Sequence, residues 1–321
     1  MPVRVAFVGA GGIANAHMRA LSQIEDARMV AFCDIDQARA SAAAGTYGGK
    51  PYAELGAMLD AERPDAAYVC LPPHAHVGQE EELARRGIPF FVEKPIANTL
   101  ERATTILEAV RMADLVTSVG YHWRYMACTR MARERLEGKT IGMALGYWLG
   151  GMPGVHWWRR MDMSAGQMVE QTTHIVDLAR YLCGEIVEVY AAMTTRALAD
   201  VEDFTVTDVG TMTAKFASGA LGSFSNTCLL KGFGYTVGLH VVTPDIVVEV
   251  ESSRCRALTA AGEEVAPPDG NPTVEEDRAF VRAVATGDRA GILSPYEDAL
   301  RTLAVTLAAN RSARNGRPER P

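Results

Sequence analysis

The sequence predicts an α/β protein of two domains. The N-terminal domain is expected to hold a doubly wound parallel sheet, and the C-terminal domain to be α+β with a large, mostly antiparallel sheet. The chain has 321 residues, more than one hydrophobic core usually serves. Strand and helix patterns alternate in the first half, as in parallel sheets, whereas strand patterns in the second half follow one another without helices.

The first half begins with a βαβ pattern. An apolar, β-branched strand at Val3–Val8 precedes a helical pattern at Ile13–Ile24 and a second strand at Met29–Cys33. The alternation continues with Gly or Pro at the joins. Further strands are predicted at Ala67–Leu71, Pro89–Val92 and Leu115–Val119, and further helices at His76–Arg86 and Leu100–Met112.

The character of the chain changes near residue 120, so domains are predicted at 1–121 and 122–321. Residues 121–158 are rich in aromatics, Met, Arg and Gly and show no clear period. Beyond them we expect a helix at His174–Leu182, strands at Val187–Thr195, Val206–Phe216, Ala220–Leu229, Tyr235–Val242 and Ile246–Val250, and helices at Val274–Ala285 and Pro295–Asn310. The last helix, about 295–310, can pack back on the N-terminal domain, and the polar tail 311–321 is expected to fray.

Composition excludes several classes of protein. The net charge is −7, and no basic cluster is interleaved with aromatics, which argues against a nucleic-acid partner. No apolar stretch is long enough to span a bilayer, and the N-terminus leads directly into a strand. Six cysteines are scattered singly and predict reduced thiols in a cytoplasmic protein. The seven histidines lack metal-ligand spacing, so no metal is expected.

Residues 9–14 fit the G-x-G-x-x-G/A pattern between a predicted strand and a predicted helix. The first glycine permits a tight turn, the second lets backbone amides approach a pyrophosphate, and the helix directs its positive end at the phosphates. A flexible turn is the other interpretation, but the flanking elements favour a dinucleotide site of the Rossmann type. The predicted cofactor contacts in this turn are Gly9, Ala10, Gly11, Gly12 and Ile13.

Asp34 ends the second strand, about 20 residues beyond the glycine pattern, as the dinucleotide fingerprint requires. Its carboxylate would accept hydrogen bonds from the ribose hydroxyls and repel a 2′-phosphate. We therefore expect NAD, and NADP only as a lesser alternative that Arg39 leaves open. Asp34 could also cap the next helix, a role compatible with the ribose contact.

Glu93, Lys94 and Pro95 follow an apolar strand directly, at the sheet edge where open α/β sheets bind ligands. A salt bridge in an exposed loop would be the usual interpretation of Glu-Lys alone. Beside a nicotinamide site, however, Lys94 could exchange a proton with a substrate oxygen.

Residues 170–177, Glu-Gln-Thr-Thr-His-Ile-Val-Asp, form a third motif. Thr172 or Thr173 can cap a helix that starts near His174 and carries Asp177 on the same face. A histidine in this position suits proton removal from an alcohol. A packed histidine that only caps or bridges is equally compatible with the spacing.

Aromatic and basic residues precede this motif. Trp157, with Trp158, His156 and Arg159, offers stacking faces and bidentate donors that suit a pyranose or an anionic sugar. A loop anchored by two buried indoles is the alternative. The same two interpretations apply to Trp123 and Arg124.

With these motifs the chain resembles the Gfo/Idh/MocA oxidoreductases, which include glucose-fructose oxidoreductase and inositol dehydrogenase. Two further segments share the resemblance: 71–76, Leu-Pro-Pro-His-Ala-His, and 120–125, Gly-Tyr-His-Trp-Arg-Tyr. The resemblance implies that Lys94 is the catalytic lysine, that Glu93 lies beside the nicotinamide ribose, and that the Lys94–Pro95 peptide can be cis. We also predict cofactor contacts from Leu71, Pro72, His76, Lys94 and Arg124, and substrate contacts from Lys94, His122, Trp123, Glu170 and His174. Trp157 and Arg159 are added to the substrate contacts on the stacking and hydrogen-bonding chemistry described above.

The resemblance also makes His174 a catalytic residue, although the residue four positions before it departs from the family pattern. The family has aspartate there, and this chain has Glu170. A glutamate can still orient an imidazole or a sugar hydroxyl from a backbone set farther away. Glu170 is therefore predicted as the third catalytic residue beside Lys94 and His174.

The predicted function is NAD(H)-dependent hydride transfer at a carbinol or carbonyl carbon of a sugar, sugar derivative or cyclitol. Alternatives of the same fold are an NADP(H)-dependent sugar reductase and an enzyme that eliminates or hydrolyses while retaining NAD. An alternative of another class is a non-catalytic NAD(H)-binding regulator. On the family's pattern, a homodimer or homotetramer forms through the C-terminal sheet.

Overall fold

A computed structural model of the protein describes residues 1–252, 254–267 and 270–321. The chain divides into two units. The first comprises residues 1–97, 101–125 and 271–299, and the second comprises residues 98–100, 126–270 and 300–321. The first unit thus includes a late segment of the chain. The predicted division after residue 121 stays a prediction.

The helices and strands of the first 125 residues alternate as predicted. They are β1 (Val3–Val8), α1 (Gly12–Leu21), β2 (Ala27–Cys33), α2 (Gln37–Tyr47), β3 (Lys50–Tyr52), α3 (Leu55–Glu62), β4 (Ala66–Val69), α4 (Gln79–Arg85), β5 (Phe90–Val92), α5 (Leu100–Met112) and β6 (Thr117–Val119). The predicted helix at 76–86 starts three residues late, at Gln79, and a short 3-10 turn at Pro73–Ala75 precedes it. The elements α2, β3 and α3 were not predicted.

The later elements include several that the sequence did not indicate. They are α6 (Ala127–Leu136), β7 (Met143–Leu149), α7 (Met161–Ser164), α8 (Gln167–Glu170), α9 (Thr173–Cys183), β8 (Ile186–Thr194), β9 (Val209–Phe216), β10 (Leu221–Thr227), β11 (Thr236–Val242), β12 (Val247–Glu251), β13 (Cys255–Thr259), β14 (Gly262–Val265), α10 (Pro272–Thr286) and α11 (Tyr296–Asn315). Two short 3-10 turns, His122–Tyr125 and His156–Arg159, complete the chain.

The first unit is built on a six-stranded sheet in the order β3-β2-β1-β4-β5-β6. Every pair of neighbouring strands is parallel. The predicted doubly wound parallel sheet is therefore confirmed. The order changes direction on either side of β1, and ligands of such sheets bind at the carboxyl ends of the strands near that point.

Aromatic side chains fill the core of this unit. Phe7 stacks on Tyr68 with ring centroids 5.1 Å apart, and Tyr68 stacks on Phe91 at 4.9 Å. Phe280 of α10 meets both Tyr68 and Phe91 edge-on. These rings fix β1, β4 and β5 against α10, and so hold the ends of the strands at which ligands bind in such sheets.

The second unit is built on an eight-stranded sheet in the order β14-β13-β12-β11-β7-β10-β9-β8. Of its seven strand pairs, only β7 and β10 run parallel. The predicted large, mostly antiparallel sheet is confirmed. The central strand β7 lies in the stretch 121–158, where bulky and small residues obscured the strand period.

One face of this sheet is covered by α9. A Cβ at Gly146 would lie 2.6 Å from Ile175 of α9, so the close approach of helix and strand needs glycine there. The opposite face carries exposed apolar side chains. Leu145 of β7 is 36% exposed, Tyr190 of β8 47% and Leu221 of β10 50%.

The tail does not fray as expected. Helix α11 continues to Asn315, and Glu319 then pairs with Val189 of the edge strand β8. The Ser312 hydroxyl also donates to the Arg317 carbonyl at 2.6 Å. These backbone and side-chain bonds hold a segment whose polar composition alone indicated an unanchored end.

Two cysteines differ from the expectation that all six are reduced. Cys128 of α6 and Cys255 of β13 form a disulfide across 127 residues of sequence. A pair so widely separated leaves no local spacing by which it could be predicted. Cys33, Cys70, Cys183 and Cys228 are buried free thiols. Among the described residues, no helix is long and apolar enough to cross a membrane.

Candidate functional site

The glycine turn joins the carboxyl end of β1 to α1. Gly9 has φ +91°, and a Cβ there would lie 2.4 Å from the carbonyl oxygen of Cys70. Only glycine fits such a position. At Gly11 a Cβ would meet nothing within 4 Å, so open space borders the start of the helix. The turn thus offers backbone amides and a helix N-terminus to an anion, which fits the pyrophosphate of a dinucleotide.

Asp34 supports this turn from the end of β2. Its Oδ2 accepts a hydrogen bond from the Ala10 backbone N–H at 2.7 Å, and its Oδ1 accepts from the Asp36 N–H at 2.8 Å. The helix cap that could have been the role of Asp34 belongs to Asp36, whose side chain accepts from the Ala38 N–H. Asp36 also forms an ion pair with Arg39 at 3.2 Å. Arg39 is the residue that kept NADP as an alternative cofactor in the sequence analysis.

The loop after β4 lies beside the turn at Leu71. A Cβ at Gly9 would be 3.2 Å from Leu71 Cδ2, and Pro72 follows with its ring partly exposed. His76 is 2% exposed, and its Nδ1 is hydrogen-bonded to Glu80 of α4. Leu71 is therefore adjacent to the glycine turn, whereas the imidazole of His76 is directed at α4.

Glu93 and Lys94 follow β5 as predicted. Glu93 is 5% exposed, and its backbone N–H donates to Val69 of β4 at 2.9 Å. A Cβ at Gly120 would lie 2.3 Å from Glu93 Oε1, so glycine makes room for this carboxylate. Lys94 is partly exposed, and its peptide bond to Pro95 is cis, as the resemblance allowed.

The 3-10 turn at 122–125 holds three predicted residues. Burial lowers the pKa of His122 to about 4, so its ring is neutral near neutral pH. Trp123 is 6% exposed. Arg124 is 3% exposed, and its guanidinium donates to the Leu293 carbonyl at 2.5 Å and to Asp298 at 2.6 Å. These two bonds tie the turn to residues 293–298 of the same unit.

The second unit carries the histidine motif on α8 and α9. Glu170 is the last residue of α8, and His174 lies in the first turn of α9, 5% exposed. The imidazole stacks on Trp148 of β7, with centroids 5.8 Å apart and planes 19° apart. Thr172 stands at the cap position, but its hydroxyl makes no capping bond. The strand and helix thus fix the plane of the histidine ring.

Glu170 is held by an indole. Trp158 Nε1 donates to Glu170 Oε2 at 2.7 Å, and Trp158 is fully buried in a small core with Leu198 and Val206. For Trp158, the alternative of a buried loop anchor is therefore correct. Trp157 is half-buried against the same cluster.

Two further polar residues of this unit were part of the sequence interpretation. Arg159 is partly exposed, and its Nε is buried without a hydrogen-bond partner among the described residues. Asp177 is fully buried and accepts from the Thr302 hydroxyl at 2.8 Å, and Thr302 in turn accepts from Arg180 at 2.6 Å. This chain of bonds fastens α9 to α11 within the second unit.

The structure brings together Gly9, Ala10, Asp34 and Leu71 in the first unit, and Glu170 with Trp158 in the second. It also shows a residue that the motifs missed. His17 of α1 is hydrogen-bonded to Glu93. Its place in the apolar series Ile13, His17, Leu21 was the available signal, because a buried histidine needs polar partners.

Two family profiles match the chain. Residues 3–121 match the family described as "Oxidoreductase family, NAD-binding Rossmann fold", and residues 129–242 match "GFO/IDH/MocA C-terminal domain". Together they cover most of the chain.

Similar proteins extend over the whole length. An inositol 2-dehydrogenase of Rhizobium meliloti (strain 1021) is 29% identical over 335 residues, covering 97% of each chain. The WlbA dehydrogenase of Bordetella pertussis, solved with NADH and UDP-GlcNAcA, has a TM-score of 0.87 at 24% identity, covering 100% of this chain and 99% of its own. A levoglucosan dehydrogenase solved with NADH has a TM-score of 0.91 at 18% identity, with the same coverage. The two structures support the fold.

Proposed function

Because the chain belongs to the GFO/IDH/MocA family of NAD-binding oxidoreductases, we propose that it interconverts a secondary alcohol and a ketone on a cyclitol or sugar. The observation that carries the proposal is the glycine turn braced by Asp34, which suits an NAD pyrophosphate and ribose. The full-length likeness to an inositol 2-dehydrogenase supports a polyol as the substrate class.

The chemistry divides between cofactor and side chains. When bound, NAD would supply the acceptor for the hydride that leaves the carbinol carbon. Lys94 and His174 are assigned to the alcohol oxygen, where one donates a hydrogen bond and the other takes the proton as the carbonyl forms. Glu170, held by Trp158, orients the imidazole or a substrate hydroxyl. Trp157, Trp123, His122 and Arg159 are assigned to the substrate wall, and Leu71, Pro72, His76, Glu93 and Arg124 to the cofactor side.

Selectivity for NAD over NADP is assigned to Asp34. A carboxylate at the ribose repels a 2′-phosphate, and Arg39, the nearby cation, is paired with Asp36. We expect NADH to bind at least tenfold more tightly than NADPH, as titration of the purified protein by fluorescence can measure.

The decisive experiment is a panel of inositols, polyols and aldoses with NAD and NADP, followed by the absorbance of the reduced cofactor. On the substrate found, Lys94→Ala and His174→Ala should each lower kcat about 10²–10⁴-fold, the usual contribution of a proton-transfer group. Full turnover in either variant would overturn the assigned chemistry. Cofactor that co-purifies tightly without net NADH formation would favour elimination or hydrolysis with NAD retained.

We further propose a cytoplasmic homodimer or homotetramer that forms through the exposed face of the eight-stranded sheet. The apolar side chains Leu145, Tyr190 and Leu221 on that face support this assembly. A cytoplasmic location agrees with four free buried thiols. Cell fractionation tests the location, because the protein should then be found in the cytosolic fraction.

A further inference from the structure

A buried ionic cluster in the first unit centres on His17 of α1. Its Nδ1 lies 2.8 Å from Asp277 Oδ1 of α10, and its Nε2 lies 2.9 Å from Glu93 Oε1. The side chains of His17 and Asp277 are 0% exposed and that of Glu93 is 6% exposed. Where Asp277 and Glu93 are both ionised, both ring nitrogens donate, which only the charged imidazolium can do.

The surroundings of the ring agree with this protonation. It lies between Phe91 and Tyr68, with centroids 4.8 Å and 5.4 Å away. Burial opposes the charge, but Asp277 and Glu93 together raise the pKa of His17 well above its ordinary value. A third carboxyl group, Glu276 of α10, is 1% exposed, and burial raises its pKa well above the ordinary value.

A metal ion is the other occupant that such a cluster suggests. One ligand atom each from His17, Glu276 and Asp277 lie within 4.8 Å of one another. A cation would need a ring lone pair, however, and both ring nitrogens are at hydrogen-bond distance from oxygens. The contacts favour a proton on each nitrogen instead.

The position of the buried Glu93 carboxylate depends on its contact with the His17 ring. Its carboxylate is packed against Gly120 and its backbone is bonded to β4, so it cannot relax within the core. Loss of the positive ring would leave a buried carboxylate unpaired, and such a group either takes up a proton or moves toward water. The second response would shift the backbone from which Lys94 projects.

We propose that His17 is a positioning residue, whose charged ring holds the Glu93 carboxylate in place and thereby sets the position of Lys94. The inference rests on the proposed function, because it takes Lys94 to act on the substrate. The other titratable groups that face the ring are Asp277 and Glu276 of α10, Tyr68 of β4, and His122. Cys70 lies near Glu93 and Asp277, and Lys94 lies near His122.

The test uses the full chain and three variants. His17→Gln keeps a donor but removes the charge, Asp277→Asn keeps an acceptor for the ring, and Arg111→Gln breaks an exposed ion pair with Glu297 in the same unit. A displacement of about 1 Å at a catalytic group can cost about 10²-fold. We expect His17→Gln to lower kcat 10- to 100-fold with a smaller change in substrate KM, Asp277→Asn to lower it less, and Arg111→Gln to leave it unchanged.

NMR of the protein with isotope-labelled histidine supplies a readout that needs no activity. The His17 ring should carry protons on both nitrogens from mildly acidic to mildly alkaline pH, in wild type and in Asp277→Asn. A neutral ring at neutral pH overturns the proposal, even if His17→Gln fails to fold. So does a folded His17→Gln with wild-type kcat and pH profile while Lys94→Ala is inactive. Full turnover in Lys94→Ala would instead overturn the proposed function.

Discussion

Glu170 and Trp158 form a hydrogen-bonded pair, in which the buried indole N–H needs an acceptor and the glutamate side chain supplies it. The indole Nε1 of Trp158 lies in a buried core, where an unpaired donor would be costly. The glutamate carboxylate accepts from it at 2.7 Å. The longer side chain at position 170 therefore reaches a fixed partner that defines where one of its oxygens lies.

Trp158→Phe tests this pair. We expect a loss of about 1–3 kcal/mol in the free energy of unfolding, from the smaller ring and the lost bond, and a fall in kcat of about tenfold as Glu170 gains freedom. Urea unfolding and steady-state kinetics measure the two effects. Glu170→Gln keeps an acceptor at the same position, so the double variant should show a non-additive loss of activity. Strict additivity would mean that the indole does not position Glu170.

His122 makes the stability of the protein depend on pH. Its pKa is lowered by burial from 6.5 to about 4, so the unfolded chain binds a proton there that the folded chain does not. Stability is therefore lost as pH falls from 6.5 toward 4, by about 3 kcal/mol for this group. Unfolding of wild type and His122→Gln across that range isolates the contribution. A constant difference between the two proteins would contradict it.

At the scale of elements, the junction of β1 and α1 depends on backbone geometry more than on side chains. Gly9 adopts a left-handed conformation against the Cys70 carbonyl, and Asp34 ties the end of β2 to the same turn. The strand, turn and helix are thus held in one fixed arrangement, in which backbone amides already point toward a bound anion. Preorganised donors of this kind bind anions at little entropic cost.

A pair of glycine substitutions separates this requirement from ordinary helix propensity. Gly9→Ala should cost about 3 kcal/mol or more and abolish NADH binding, because a Cβ would lie 2.4 Å from the Cys70 carbonyl oxygen. Gly45→Ala, in α2 with nothing within 4 Å of its Cβ, should stabilise the protein by about 0.5–1 kcal/mol. Thermal melts and NADH fluorescence follow both. Equal effects would show that the turn geometry is not limiting.

At the scale of the whole molecule, the exposed sheet face should decide the oligomeric state. Leu145 lies on the central strand β7 of that face, so Leu145→Lys places a charge where the proposed assembly buries apolar area. We expect light scattering to show a smaller species, with the helix content of wild type. The control is Met112→Lys, at an apolar residue 90% exposed at the end of α5. An unchanged mass for Leu145→Lys would place the interface elsewhere.

Local signals predicted most of the fold and singled out the motif residues, whose roles stay predictions. The glycine turn, Asp34 and Glu93-Lys94 each depend on residues adjacent in sequence or one βαβ unit apart, which is the range that periodicity and turn chemistry reach. The contacts that were missed join distant segments: His17 to Asp277, Cys128 to Cys255, and Glu319 to Val189. A single sequence contains no signal that pairs residues so far apart.

The first unit is built from stretches of chain that are far apart in sequence, and this affects how it can fold during synthesis. Asp277 and Phe280, which complete the His17 cluster and the aromatic core, belong to residues 271–299 and leave the ribosome after all of residues 126–270. During translation, the six-stranded sheet therefore lacks the α10 residues that cover α1, and His17 lacks one of its two carboxylate partners, until residues 271–299 have been synthesised. A fragment ending at residue 125 would keep every nucleotide motif and still lack part of its own interior.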